Sequence, residues 1–202
     1  MTHFLLVVAH PSEQGLVTLM GQNMQKQIVE QGSTVEVLDL YRDSHTQDFS
    51  GRENATIAQT KLEYMQNLIS RADQIVLAYP LWYGGPPAIL KNWLDTNFTS
   101  HFAFVYHPAS VWYKLSGLPV GSLKNKIVHQ LVTCGSPAWR YALVLYPFAL
   151  IIDLFIVRFT GMKPGWTKVW GNIALIPKEQ RVAQIVDKHK VWFSKWIDTL
   201  GN

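Results

Sequence analysis

"QIVLAYPLWYGGPPAILKNWLD" spans residues 74–95. A mostly apolar run opens it. Aromatics, glycines and prolines fill its centre, and apolar residues at three-to-four spacing close it. The opening reads as a strand covered on both faces (74–79), the centre as a loop, the remainder as a helix. The helix is expected to begin near Pro87, since a proline at the first helical position gives up an N–H that has no partner there. Ile89, Leu90, Trp93, Leu94 and Phe98 then face inward.

The same alternation recurs along the chain. Strands are expected at 4–9, 34–40 and 126–133, with a fifth inside 168–175. The first helix carries Leu16, Leu19, Met20, Met24 and Ile28 and ends at Gly32; the second carries Ala58, Leu62, Met65, Leu68, Ile69 and Ala72. A closing helix after Pro177 carries Val182, Ile185, Val186, Phe193, Trp196, Ile197 and Leu200. Residues 42–56 read as a polar loop. Residues 99–125 read as irregular, with an extended "FAFVY" piece. Strand–helix alternation with right-handed crossovers predicts an α/β domain, a parallel sheet with helices on both faces. Ligands of such sheets sit beyond the carboxyl ends of the strands. Three loops lie there: "AHPSEQG" after strand one, "YPLWYGGP" after strand three and "TCGSP" after strand four.

The 202 residues suffice for one domain, taken as 1–202, with 48% hydrophobic and 16% charged residues arguing against disorder. The net charge of +4 is scattered, with no basic run or nucleic-acid motif, and suits a small anionic ligand. Cys134 has no partner for an intramolecular disulfide, in keeping with a reducing, cytoplasmic setting. "MTHFLLVVAHP" lacks a basic leader and reads as a first strand. The apolar segment 142–157, "ALVLYPFALIIDLFIV", is shorter than the roughly 20 residues of a spanning helix and holds Pro147 and Asp153. It reads as a fourth helix, stopped near Gly161, in the core or at a subunit contact; shallow membrane docking is the alternative.

No GxGxxG, Walker A or GxSxG motif is present, and the seven histidines lack metal-ligand spacing, so no metal site is expected. The three loops offer something else. Gly84, Gly85 and Gly135 let backbone amides approach a ligand, Tyr79, Trp82 and Tyr83 offer aromatic faces, and the first loop leads into a helix start that favours an anion. A flat, polar-edged ring system carrying a phosphate suits all three, and flavin mononucleotide is such a molecule.

The stretch 79–95 resembles the P-L-x-W-x-x-x-P-A-x-L-K-x-W signature of the NAD(P)H dehydrogenase (quinone) family. That family includes quinone reductases, general-stress reductases and ancillary proteins of glutathione-regulated potassium efflux. The resemblance extends through "AHP" (9–11), "VEVLDLY" (35–41), Gln66, "AD" (72–73), "FAF" (102–104), "TCGSPAWRY" (133–141) and "FTGM" (159–162). It implies a flavodoxin-like, doubly wound, five-stranded parallel sheet of order 2-1-3-4-5, and a homodimer. It also implies bound FMN, with FAD as the alternative, that relays hydride from NAD(P)H to a quinone-like acceptor.

Carried onto this chain, the resemblance implies that His10 lies near the flavin phosphate, with Ser12, Gly15, Leu16 and Thr18 around it. Pro80, Leu81, Trp82, Tyr83 and Gly84 run along the ring, and Thr133, Cys134, Gly135 and Ser136 bond its polar edge. Tyr141 sits at the ring's reactive side as the catalytic side chain. Trp82, Tyr83 and Phe104 line the substrate pocket. Three departures stand out. Gln14, Gly15, Leu16 and Val17 occupy the stretch where the family has phosphate-binding Ser and Asn or Thr, Gly84 stands where an aromatic is common, and Tyr146-Pro147 replaces a family histidine. A rival reading is a flavin- or nucleotide-binding ancillary subunit on a membrane transporter, with little turnover. A nucleophilic role for Cys134 lacks a neighbouring base.

Overall fold

The computed structural model describes residues 1–46, 55–108, 111–140, 150–176 and 178–200. Its elements run β1 (His3–Val8), α1 (Leu16–Glu30), β2 (Thr34–Asp39), α2 (Ala55–Arg71), β3 (Gln74–Pro80) and α3 (Ala88–Asn97). They continue with β4 (Phe104–Val105), α4 (Val111–Ser116), β5 (Val120–Gly121), β6 (Ile127–Thr133) and the short α5 (Ala138–Arg140). A π-helical segment (Asp153–Arg158), β7 (Lys163–Trp170), a 3₁₀ turn (Ile173–Leu175), α6 (Lys178–Ile197) and a last 3₁₀ turn (Asp198–Leu200) complete them.

Five strands form one sheet in the order β2-β1-β3-β6-β7, and every neighbouring pair is parallel. This is the expected flavodoxin-like order 2-1-3-4-5. Period-two alternation divides the core between the two faces. Phe4, Leu6 and Val8 of β1 pack with Met20, Met24 and Ile28 of α1 and with Ile185 and Phe193 of α6. Leu5 and Val7 point to the other face, with Met65 and Ile69 of α2 and Leu90 and Trp93 of α3. All seven residues of β3 are buried, as the continuous apolar run requires of a central strand.

Several boundaries differ from the sequence reading. The fifth strand begins at Lys163, five residues before the expected window, and ends at Trp170. Pro164 and Gly165 are poor strand formers and masked it, but β7 is an edge strand, where proline is tolerated. The β6–β7 register slips between Val128 and Gln130. In that gap the Trp166 N–H donates to His129 Nδ1 (3.0 Å), and His129 Nε2 donates to Gln74 Oε1 (2.6 Å). Gly165 is required there: a Cβ on it would lie 2.2 Å from His129 Nδ1.

Pro87 is the N-cap of α3 rather than its first residue, with an extended ψ of 145°. Ile89 and Phe98 are half-buried, while Val182 and Leu200 are exposed. The 99–125 region holds a small antiparallel pair, β4 with β5, and α4. Of the long polar loop, residues 47–54 lie outside the described residues, as do 141–149 of the apolar segment. The segment's later part continues as the π-helix, where Gln130 Nε2 donates to Asp153 Oδ1 (2.8 Å). Burial raises the Asp153 carboxyl, against the lowering effect of that bond and of Arg158. Gly161 follows with φ +88°, near the expected helix stop.

An aromatic cluster seals β7 against α6. The Trp166 ring stacks on His129 (4.7 Å) and meets Trp192 and Trp196 edge-on (4.9 and 5.3 Å). His189 is fully buried among Trp170, Trp192 and Phe193, and neither ring nitrogen has a hydrogen-bond partner among the described residues. Burial pushes His129 down to about 3; burial and then Lys168 push His189 down to about 4.

Both histidines are held neutral in the folded state, so the unfolded chain binds more protons below its ordinary histidine pKa. Stability is therefore expected to be flat above about pH 6.5 and to fall as pH drops towards 4, by on the order of 3 kcal/mol for each of the two histidines. Urea melts across that range check it; His189→Leu should flatten the slope, and an unchanged slope would refute the assignment. Gly165→Ala is expected to lower stability by about 1–3 kcal/mol through the clash with His129, read as a shifted urea midpoint.

Candidate functional site

The carboxyl ends of β1, β3 and β6 converge on one cavity of about 340 Å³. From the first loop come His10 and Leu16, from the second Pro80, Leu81 and Trp82, and from the third Thr133, Cys134 and Gly135. Eight of the residues singled out from sequence thus share one wall.

The first loop is built around Ser12. Its carbonyl accepts from the Gly15 N–H (3.0 Å) and the Thr18 hydroxyl (2.9 Å), and its N–H donates to His10 Nδ1 (3.1 Å). The same Nδ1 lies 3.1 Å from the Ser12 carbonyl, so the loop holds this ring nitrogen whether it accepts from the amide or donates to the carbonyl. Gly15 makes this arrangement feasible, since a Cβ there would lie 2.1 Å from the His10 ring. Gly15 is also the N-cap of α1 and supplies no capping side chain. The first amides of α1 are therefore left for water or a ligand, at the positive end of the helix dipole. Ser12, Gly15 and Thr18 shape the loop from outside the lining, and the Thr18 hydroxyl is already committed to Ser12.

The second loop turns back sharply. Trp82 and Gly85 exchange two backbone hydrogen bonds (2.9 and 3.0 Å) around Tyr83 and Gly84, both at positive φ (+50° and +82°). Two successive positive φ values mark a type I′ turn, strained for a tyrosine. The turn throws Tyr83 fully into solvent, away from the cavity lining, while Trp82 stays half-exposed, 6.5 Å from the His10 ring. The Leu81 N–H donates to Thr133 O (2.7 Å). The amides of Leu81 and Trp82 are thus committed within the protein and cannot serve a ligand; those of Tyr83 and Gly84 carry no bond among the described residues.

The third loop is tied to the segment after β7. Cys134 N–H donates to Trp170 O (2.9 Å), Asn172 N–H to Ser136 O (2.8 Å) and Ile173 N–H to Cys134 O (3.3 Å). The amides of Gly135 and Ser136 carry no bond among the described residues. Burial pushes the Cys134 thiol up, the Ser136 carbonyl that accepts from it opposing the shift, so the sulfur stays protonated.

Sequence reasoning missed Val17, Ile173 and Val182, which complete the wall. Val17 lies on the buried stripe of α1 with Met20 and Met24, a legible position. Ile173 is brought to the cavity by the ties of Asn172 to Ser136 and of its own N–H to Cys134 O, and Val182 comes from α6. Phe104 is elsewhere: it packs on Phe159 (5.0 Å) and lines a separate cavity of about 160 Å³ with Phe98 and Phe155. Ser136 and Gly84 flank the lining without joining it. Tyr141, Tyr146 and Pro147 lie outside the described residues.

Of the lining residues only His10 and Cys134 titrate. Among the described lining residues no nucleophile–base pair is assembled. An apolar wall, an indole and unpartnered amides on opposite sides suit a flat molecule with a polar rim.

Comparison with known proteins agrees. A family model described as "Flavodoxin-like fold" matches residues 2–192. The chain is 31% identical over 190 residues to a Haemophilus influenzae protein named "Uncharacterized NAD(P)H oxidoreductase", covering 90% of this chain and 89% of that one. It is 27% identical over 196 residues to a glutathione-regulated potassium-efflux system ancillary protein, KefG, of Salmonella paratyphi B, covering 96% and 91%. The solved FMN-dependent NADH-azoreductase of Bacillus anthracis, in complex with FMN, shares the fold with a TM-score of 0.73 at 17% identity, over the full length of both chains. The chain belongs to the flavodoxin-like family of NAD(P)H oxidoreductases and quinone reductases.

Proposed function

We propose that the protein is a flavin-dependent NAD(P)H oxidoreductase acting on a quinone or similar acceptor, with FMN, or alternatively FAD, in the 340 Å³ cavity. The observation that carries this reading is the pairing of an apolar wall with unpartnered amides where three strands end. The volume falls within the roughly 300–1,000 Å³ of small-molecule sites. When bound, a flavin supplies two-electron transfer between the nicotinamide and the acceptor.

The chain's own residues do the rest. Leu81, Trp82 and Cys134 supply the flat wall. The amides of Gly135 and Ser136 hold the polar rim of the ring and stabilise negative charge there, as an oxyanion hole does. The first amides of α1 and the His10 ring receive the phosphate. The amides of Tyr83 and Gly84 are free to reach the ligand from the turn, and the exposed Tyr83 ring flanks the incoming second substrate. Tyr141, the residue after α5, is our assignment for the catalytic side chain. Cys134 acts as an inert wall.

The reading includes a single domain, a cytoplasmic setting and a homodimer. The exposed apolar residues Leu150, Ile151, Leu154 and Phe155 offer the dimer contact. No helix among the described residues is long and apolar enough to cross a membrane. The second reading, an ancillary subunit seated on a membrane transporter, draws on the near-full-length match to the KefG relative and on the same apolar residues.

Purified protein is expected to carry or take up FMN and to oxidise NADH or NADPH when menadione is supplied. A preparation that binds flavin but shows no turnover would favour the ancillary role, and one that binds none would remove both readings. Cys134→Ser is expected to keep turnover within about threefold, a change below 1 kcal/mol in the barrier. A loss of about a hundredfold or more in that assay would give the thiol a chemical role.

A further inference from the structure

Arg42 lies just beyond β2, outside the cavity, yet it reaches across to the first loop. Its Nη1 donates to Asp39 Oδ2 (2.6 Å), Nη2 to Pro11 O (2.6 Å) and Nε to Glu13 Oε1 (3.0 Å), with His10 O at 3.4 Å from Nη1. Asp39 is itself fixed, because its other oxygen accepts from the Tyr41 N–H (3.0 Å). One planar guanidinium therefore joins the end of β2 to His10, Pro11 and Glu13 on the segment that bears the His10 ring.

The contacts differ in weight. Glu13 is 76% exposed, and a solvated ion pair of that kind contributes little. The backbone contacts matter more. A charged donor on the Pro11 carbonyl, and close to that of His10, holds both carbonyls towards Arg42, and a rigid fork does so with less loss of freedom than a lysine would. With the carbonyls held, the next amide, Ser12 N–H, meets His10 Nδ1, and the ring is set over Gly15. The loop's own bonds converge on Ser12, and among the described residues no other group donates to the Pro11 and His10 carbonyls. The Ser12 hydroxyl makes no hydrogen bond among the described residues, and the Thr18 hydroxyl is taken up by the Ser12 carbonyl.

We infer that Arg42 is a positioning residue for the anionic end of the bound cofactor: it holds the loop 10–13 so that His10 and the first amides of α1 face the phosphate. This rests on the flavin reading above. It makes Arg42 act through the loop, with no contact to the ligand, and it places a determinant of phosphate recognition in the turn after the second strand rather than in the loop itself.

The test compares FMN with riboflavin, which differ only in the phosphate. Dissociation constants for both are measured by flavin fluorescence quenching in wild type, Arg42→Met and Arg42→Lys, alongside melting temperatures. Arg42→Met is expected to weaken FMN about tenfold or more while riboflavin changes by less than about twofold. Arg42→Lys should recover part of the loss. Equal weakening of both flavins, or FMN binding unchanged in Arg42→Met, overturns the inference. Should Arg42→Met fold poorly, the FMN-to-riboflavin ratio in Arg42→Lys decides alone: a ratio equal to wild type overturns it and a reduced one supports it. A wild-type protein that binds neither flavin overturns the cofactor reading and this inference together, an outcome visible before any variant is made.

Discussion

The hydrogen-bond ladder of the parallel sheet does not stop where the strands stop. Leu81 N–H donates to Thr133 O one step past β3, and Cys134 N–H donates to Trp170 O one step past β6. These two bonds set the level at which the second and third loops leave the sheet. A parallel ladder spaces its bonds evenly along both strands, so neighbouring ends are held at a common height. The cavity exists because three such ends finish together, and each loop is then free to turn its unused amides inward.

That alignment needs an edge strand that cannot slip. β7 carries Pro164 and Gly165 and would be a weak partner on propensity alone. It is pinned instead by a tertiary device. The slip opposite Val128 and Gln130 admits a histidine that bonds the Trp166 amide on one side and Gln74 of β3 on the other. The aromatic cluster then clamps the strand beneath α6. Two buried neutral histidines are the consequence, and they tie the fold's acid sensitivity to the same face that supports the third loop.

The site trades regularity for reach. The turn at Tyr83 and Gly84 sits in a backbone region that costs a tyrosine energy, and such strain persists where the surroundings enforce it. Here the two bonds between Trp82 and Gly85 enforce it. The first loop relies on a similar economy of space. Gly15 leaves room for an imidazole, and Arg42, anchored outside the cavity, donates to the carbonyls of the same segment.

The residues alone determined the α/β class, the sequence of elements, the inward stripes of α1 and α3, and the three loops that carry the site. Period two, period 3.6 and the stiff punctuation of glycine and proline are local properties that a linear reading captures. The early start of β7 escaped because its proline and glycine contradict strand propensity and only an edge position tolerates them. Ile173 escaped because no local pattern announces a bond between Asn172 and Ser136, and Val182 because only the packing of α6 brings it to the wall. The split among the amides, with Leu81 and Trp82 committed and Gly135 and Ser136 free, is likewise a matter of which backbone group finds a partner across the sheet. The linear order of residues is silent on that choice, because such a partner is chosen by packing between segments dozens of residues apart.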